Sequence, residues 1–465
     1  MSATTVLPAR PARESVPTRP GFRARAAALD AATPAGRDRF VDLVRLVSLV
    51  VVVAAHWVLV PLVADGTDVV GRSPWARAAT WLLMVMPLFF AVGGYVHLRT
   101  LGPAHGPAAT TFVVARAERL LGPVVVLLAV WLGLAAAVDT VPLGGLTDPV
   151  AVAVDRATTP LWFVAVYLVV VLLAPLTVRL HRRHGLRAVA GGVVLVAALD
   201  AARAHGPAWS QPVAVVASLL GVWLVVHQLG HLWGDGVLDR RRARALLALT
   251  GWGSALLLTV GTGWYPVDMQ GLPGSEASSF TPPTLALLAQ GAGLLGTVLL
   301  LREPATRLLH RPAVWAVVAT GGAVMMTVFC WHLSAAFAVW GVLLLAGPVL
   351  PAVPAAATPL WWALVPVWLL VCLPVLVVLV RVARPAERWR VLRGDGRGAE
   401  RRVAPVAVVA GTGLVAVATY AVSQLGVDGW TDGATEPLLG AALPVWPALL
   451  ALMVGVLLLR GRGRQ

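Results

Sequence analysis

The sequence predicts an all-α, polytopic membrane protein: a bundle of about twelve transmembrane helices, arranged as ten plus two, with both termini in the cytoplasm. Three observations carry this. The 465 residues are 58% hydrophobic and only 13% charged, about half the ~25% charged share of an ordinary globular domain, and mean hydropathy is +0.80. The apolar residues fall in runs near the ~20 residues that cross a ~30 Å hydrocarbon core. The basic residues sit in short bursts between those runs, on alternate loops.

In order, the apolar segments lie near 41–63, 75–98, 119–138, 160–178, 186–200, 212–233, 244–262, 283–301, 313–345, 360–383, 403–422 and 438–460. The fifth is short and the ninth long. Charge tests the count independently. The N-terminal tail and the stretches Arg99–Arg119, Arg179–Arg187, Arg240–Arg244, Arg302–Arg311, Arg381–Arg402 and Arg460–Arg464 are Arg-rich. The alternate loops carry mainly acids, such as Asp65 and Asp68, Asp139 and Asp148, Asp268 and Glu276. That phase places the basic loops, and both termini, in the cytoplasm of a cell with this protein in its inner (plasma) membrane. Residues 1–36, rich in Pro and Arg, read as a disordered cytoplasmic tail. The first apolar run begins too far in, and runs too long, for a cleaved signal peptide. Residues 37–383 form a ten-helix domain, 384–402 the longest basic loop, and 403–465 two further helices with a short basic tail.

The formal net charge of +15 comes from arginine alone, since the chain has no lysine. Nucleic-acid binding would gather that charge on a soluble domain, which the sequence lacks. Cys330 and Cys372 lie inside apolar runs, where thiols are packing rather than a disulfide framework.

Ionisable groups within a span are costly and point to function. The first helix carries Asp42, Arg45 and His56. Arg45 and His56 are eleven positions apart, three turns and ~20°, so they share a face about 16 Å apart along the axis. Asp42 lies on that stripe, one turn from Arg45 and placed to orient it. Asp42 and Arg45 also suit an interfacial anchor, and His56 a structural histidine. His332, in the ninth segment, either lines the same cavity or hydrogen-bonds a neighbouring helix. His227 and His231, at i and i+4, have metal-binding spacing but no adjacent glutamate and no third ligand, so no metal is expected. Arg116 and Arg119 open the third helix, as interfacial anchors or as a cradle for phosphates.

Asp42-x-x-Arg45-x10-His56 resembles the first-helix signature of the acyltransferase-3 family of integral membrane acyltransferases. Pro87-Leu88-Phe89-Phe90-Ala-Val-Gly93-Gly94-Tyr95 is similar to that family's second helix, with Gly93 where serine is common. Arg116-x-x-Arg119-x-x-x-Pro123, Leu161-Trp162-Phe163 and Thr327-Val-Phe-Cys-Trp-His332 follow in the family's order. His227-Gln228-Leu229-Gly230, Trp233-Gly-Asp235-Gly236 and Pro282-Pro283-Thr284 resemble an actinobacterial-type subgroup. The likeness covers roughly residues 37–383. It implies transfer of an acyl group from a cytosolic coenzyme A-type thioester, a co-substrate rather than a bound cofactor, to a hydroxyl. The acceptor would be a sugar, glycolipid or cell-envelope polymer. Arg45, Arg116 and Arg119 would then face the donor's phosphates, and His56 would be general base, with Asp42, His332 and His227 as further cavity candidates. A secondary transporter would show a long loop after the sixth span and repeated halves, and neither is seen. A non-catalytic membrane scaffold of the same fold is a third reading.

Overall fold

The computed structural model describes residues 21–64, 66–101, 108–140, 147–346, 354–387, 391–392, 403–428, 430, 433, 435–438 and 441–460. Among these the chain is an all-α bundle. Helix α1 (Phe22–Ala31) comes first, then α2 (Arg39–Ala64). The first of these corrects the expected tail. Its Arg and Ala residues give no apolar signal, yet it docks on the helix Pro312–Ala323. Trp315 Nε1 donates to Thr33 Oγ1 at 2.7 Å, and the Arg39 guanidinium stacks 4.8 Å from the Trp315 ring. Residues 1–20 of that tail lie outside the described residues.

The second expected span is broken. A short α3 (Val69–Arg72) leads to α4 (Trp75–Leu83), and α5 (Met86–Leu101) follows after Met84 and Val85. A break inside a membrane frees backbone carbonyls that lipid cannot satisfy. Here Gln290 Nε2 donates to Trp81 O at 2.8 Å and to Met84 O at 3.2 Å. Hydropathy averaged over a window does not register such a break.

Next come α6 (Ala109–Thr140), α7 (Thr147–Arg156), α8 (Leu161–His184), α9 (Leu186–His205), α10 (Gln211–Gly234) and α11 (Arg241–Leu256). A loop over 262–284 leads into α12 (Leu285–Leu300), which bends by 52° into α13 (Arg302–Leu309). The ninth expected segment is divided at Val324 into α14 (Pro312–Ala323) and α15 (Met325–Ala346). Helix α16 (Pro359–Glu387) runs into the expected basic loop, of which 388–390 and 393–402 lie outside the described residues. The appended pair is α17 (Pro405–Leu425) and α18 (Trp446–Arg460). A two-stranded antiparallel ribbon, β1 (Thr435–Leu438) and β2 (Ala441–Pro444), takes the start of the expected twelfth span. Among the described residues nine helices are long and apolar enough to cross a membrane, or ten if the bent pair α12–α13 is one span. The expected fifth and twelfth spans, now α9 and α18, fall outside that count.

One helix crossing fixes the interior. Helices α5 and α10 meet at Gly94 and Gly230, where a Cβ on either glycine would lie 1.9 Å from a carbonyl oxygen of the other helix, His227 O or Ala91 O. Small residues let membrane helices approach this closely. Above the crossing, Phe90 stacks on Trp223 at 4.5 Å and meets Phe163 of α8 edge-on at 5.4 Å. Both the aromatic layer and the histidines below it follow from that contact.

Candidate active site

His56 projects from the middle of α2 and is half-buried, while His332 of α15 is fully buried. Their rings lie nearly parallel, 15° apart, with His56 Nδ1 2.7 Å from His332 Nε2. His332 Nδ1 lies 2.6 Å from the carbonyl oxygen of Phe329. A carbonyl only accepts, so His332 Nδ1 carries a hydrogen and, in the neutral ring, Nε2 is an acceptor. His56 must then donate from Nδ1, which leaves its Nε2 with the free lone pair. Among the described residues that nitrogen has no hydrogen-bond partner, and it is not occluded. The helices are pinned around the pair: Trp57 Nε1 donates to His332 O at 2.7 Å, and Trp368 Nε1 of α16 donates to Trp57 O at 2.8 Å.

His56 lines a cavity of about 60 Å³ with Val52, Met84, Phe163, Phe329 and Gln270. At ~10–15 Å³ per water, that holds a few waters or the reacting groups of a ligand, and not a whole sugar. The α4–α5 break supplies Met84 and Met86 to its wall. The 262–284 loop supplies Gln270 and Phe280. Met269 N of that loop donates to Thr80 Oγ1 at 3.1 Å, and Asp268 faces Arg77 at 3.4 Å and accepts from Ser275 Oγ at 2.7 Å.

Some 16 Å along α2 by helical rise, a second group gathers. Arg116 lies within electrostatic reach of Arg45 and Arg119, and both Arg45 and Arg116 lie within electrostatic reach of the half-buried Tyr167 of α8. Among the described residues none of the three arginines pairs with a carboxylate. Asp42 departs from expectation: it does not orient Arg45 but pairs with Arg37 at 2.7 Å, because the chain just before α2 folds back over its first turn. His227 lies away from the His56 cavity, its Nε2 3.0 Å from His97 Nδ1 of α5.

The structure thus brings together His56 with His332, and Arg45 with Arg116 and Arg119. It adds Tyr167, His97 and Gln270, which the sequence reading missed. His97 was detectable as one more ionisable residue inside an apolar run. Tyr167 gave the same kind of signal, masked because tyrosine usually marks an interface. Gln270 sits in a loop without periodicity and gave none. No group of three or more metal-ligating side chains occurs among the described residues.

Apolar helices around an imidazole pair and a separate arginine layer define a multi-pass membrane protein. A family model described as an acyltransferase domain matches residues 38–383, and the chain belongs to that acyltransferase-3 family. No curated protein and no solved structure matches it. Membership makes it a membrane acyltransferase, with an acyl donor and an acceptor.

Proposed function

We propose that the protein transfers an acyl group from a coenzyme A-type thioester to a hydroxyl of a sugar, glycolipid or cell-envelope acceptor, with His56 as general base. The Phe329–His332–His56 hydrogen-bond chain carries this reading, because it leaves an accessible, unprotonated Nε2 on the ring that lines the cavity. That nitrogen takes the proton of the acceptor hydroxyl as its oxygen attacks the thioester carbonyl carbon. The carbon–sulfur bond then breaks, and the imidazolium returns its proton to the departing sulfur. While His56 is charged, its Nδ1–H faces the His332 Nε2 lone pair, which stabilises the cation and holds the ring in place. Arg45, Arg116 and Arg119 bind the donor's phosphates as unpaired guanidinium groups. The ~16 Å between the two layers suits a long donor arm lying along α2.

The test is transfer of radiolabel from acyl-coenzyme A to a cell-envelope extract by the protein in lipid. His56→Ala should lower the rate by ~10²–10⁴-fold with donor binding retained. Full activity of that variant would end the proposal, and the labelled product of the intact protein would identify the acceptor.

A further inference from the structure

Below the cavity, α5, α8 and α10 enclose a line of imidazoles that the acyl-transfer chemistry does not use. Tyr167 OH lies 3.5 Å from His97 Nε2, and His97 Nδ1 3.0 Å from His227 Nε2. The rings of His227 and His231 are 4.5 Å apart, and those of His231 and His181 5.3 Å. His181 Nε2 ends the line 3.4 Å from the carboxylate of Asp235, whose side chain is 63% exposed. His97, His227 and His231 are fully buried, and His181 nearly so. Two ring nitrogens, His227 Nδ1 and His181 Nδ1, are buried without a hydrogen-bond partner among the described residues. Native proteins rarely leave such atoms unpaired without a ligand, a water or a proton transfer to explain them.

The charges facing this line are one-sided at its inner end. His97 faces Arg116 from α6, Tyr167 from α8, and His227 and His231 from α10. Tyr167 in turn faces Arg45 from α2 and Arg116. The first carboxylate along the line is Asp235, at its far end. A proton on the inner imidazoles stands beside the Arg116 charge, and an anion beside Tyr167 offsets that repulsion. We propose that Tyr167 and the His97–His227 pair form, with Arg45 and Arg116, a phosphate subsite whose occupation takes up one proton from solution. The line meets solvent at Asp235, and that end, past His181 and the His231–Thr177 contact, is where the proton is drawn. The phenol and an imidazole N–H donate to the phosphate oxygens, and the two guanidinium groups balance the remaining charge. The inference deepens the donor-phosphate reading and rests on it for the ligand's biological source.

Titration calorimetry on the full chain in lipid nanodiscs tests it, with inorganic pyrophosphate and acetyl-coenzyme A as separate probes in buffers of different ionisation enthalpy. The intact protein should take up about one proton more per bound pyrophosphate than H97Q, the difference removing the ligand's own ionisation. Its pyrophosphate affinity, corrected in the same way, should weaken towards about tenfold per pH unit above neutrality. An equal proton count in the two proteins overturns the proposal. If H97Q does not fold, a corrected affinity of the intact protein that is flat with pH does the same, as does failure to bind pyrophosphate at all. Pyrophosphate binding with proton uptake, but no binding of acetyl-coenzyme A, would leave the subsite standing and remove the thioester reading.

Discussion

At the scale of single residues, the proposed mechanism has His332 act only through His56. Its ring is fully buried and touches the cavity through no atom, so it is a positioning residue. Replacing it with phenylalanine removes the acceptor for His56 Nδ1 and frees the tautomer. We expect His332→Phe to lower kcat by about 10–100-fold with little change in the donor's KM, since the loss falls on the transition state. His332→Gln, whose amide oxygen can reach the place of Nε2, should restore part of that loss. Equal kcat in the phenylalanine and glutamine variants would show that the hydrogen bond is not what matters. The sequence made His56 and His332 visible because each interrupts an apolar run, but their pairing across 276 positions had no local signature. It misassigned Asp42 for a related reason. Helical spacing within α2 pointed to Arg45, whereas the partner, Arg37, precedes the helix and obeys no helical period.

At the scale of elements, the site depends on two devices that hydropathy averages away. One is the α4–α5 break. Gln290→Leu would leave the carbonyls of Trp81 and Met84 without their donor, at a cost of about 1–3 kcal/mol for a buried unsatisfied group. Thermal unfolding in detergent should register that loss, and the cavity beside Met84 should lose activity with it. The other is the α5–α10 crossing. Gly94→Ala would set a methyl carbon where His227 O now lies, so the helices must part. Overpacking of this kind costs roughly 1–3 kcal/mol. The same shift would stretch the His231 Nδ1 to Gly94 O contact, now 2.9 Å. Unchanged stability of Gly94→Ala would mean that the crossing is looser than its glycines imply. Nine or ten of the twelve expected spans were legible among the described residues, because helices in lipid need long apolar runs. The breaks at Met84 and Val324 were not, since the residues on either side are as apolar as those at the break. The docked helix α1 was missed because Arg and Ala give no apolar run, and its contact with Trp315 lies far away in sequence.

For the whole molecule, the alternation of Arg-rich and acidic loops predicts a sidedness that can be measured. Ser275 lies in the loop over the cavity, and Arg183 near the end of α8. The native cysteines, Cys330 and Cys372, are both buried, so Cys330→Ala and Cys372→Ala give a clean background. A cysteine at 275 should react with a membrane-impermeant maleimide on intact cells, and one at 183 only after permeabilisation. The reverse pattern would invert the topology and place the arginine layer outside.

The contact between Gly94 and Gly230 bears on how a ligand gets in. Where two backbones touch, there are no side chains left to rotate aside, so α5 and α10 make a fixed jaw. On the proposed mechanism, any movement that opens the arginine layer to an elongated donor would come from the helices that carry Arg45 and Arg116, α2 and α6.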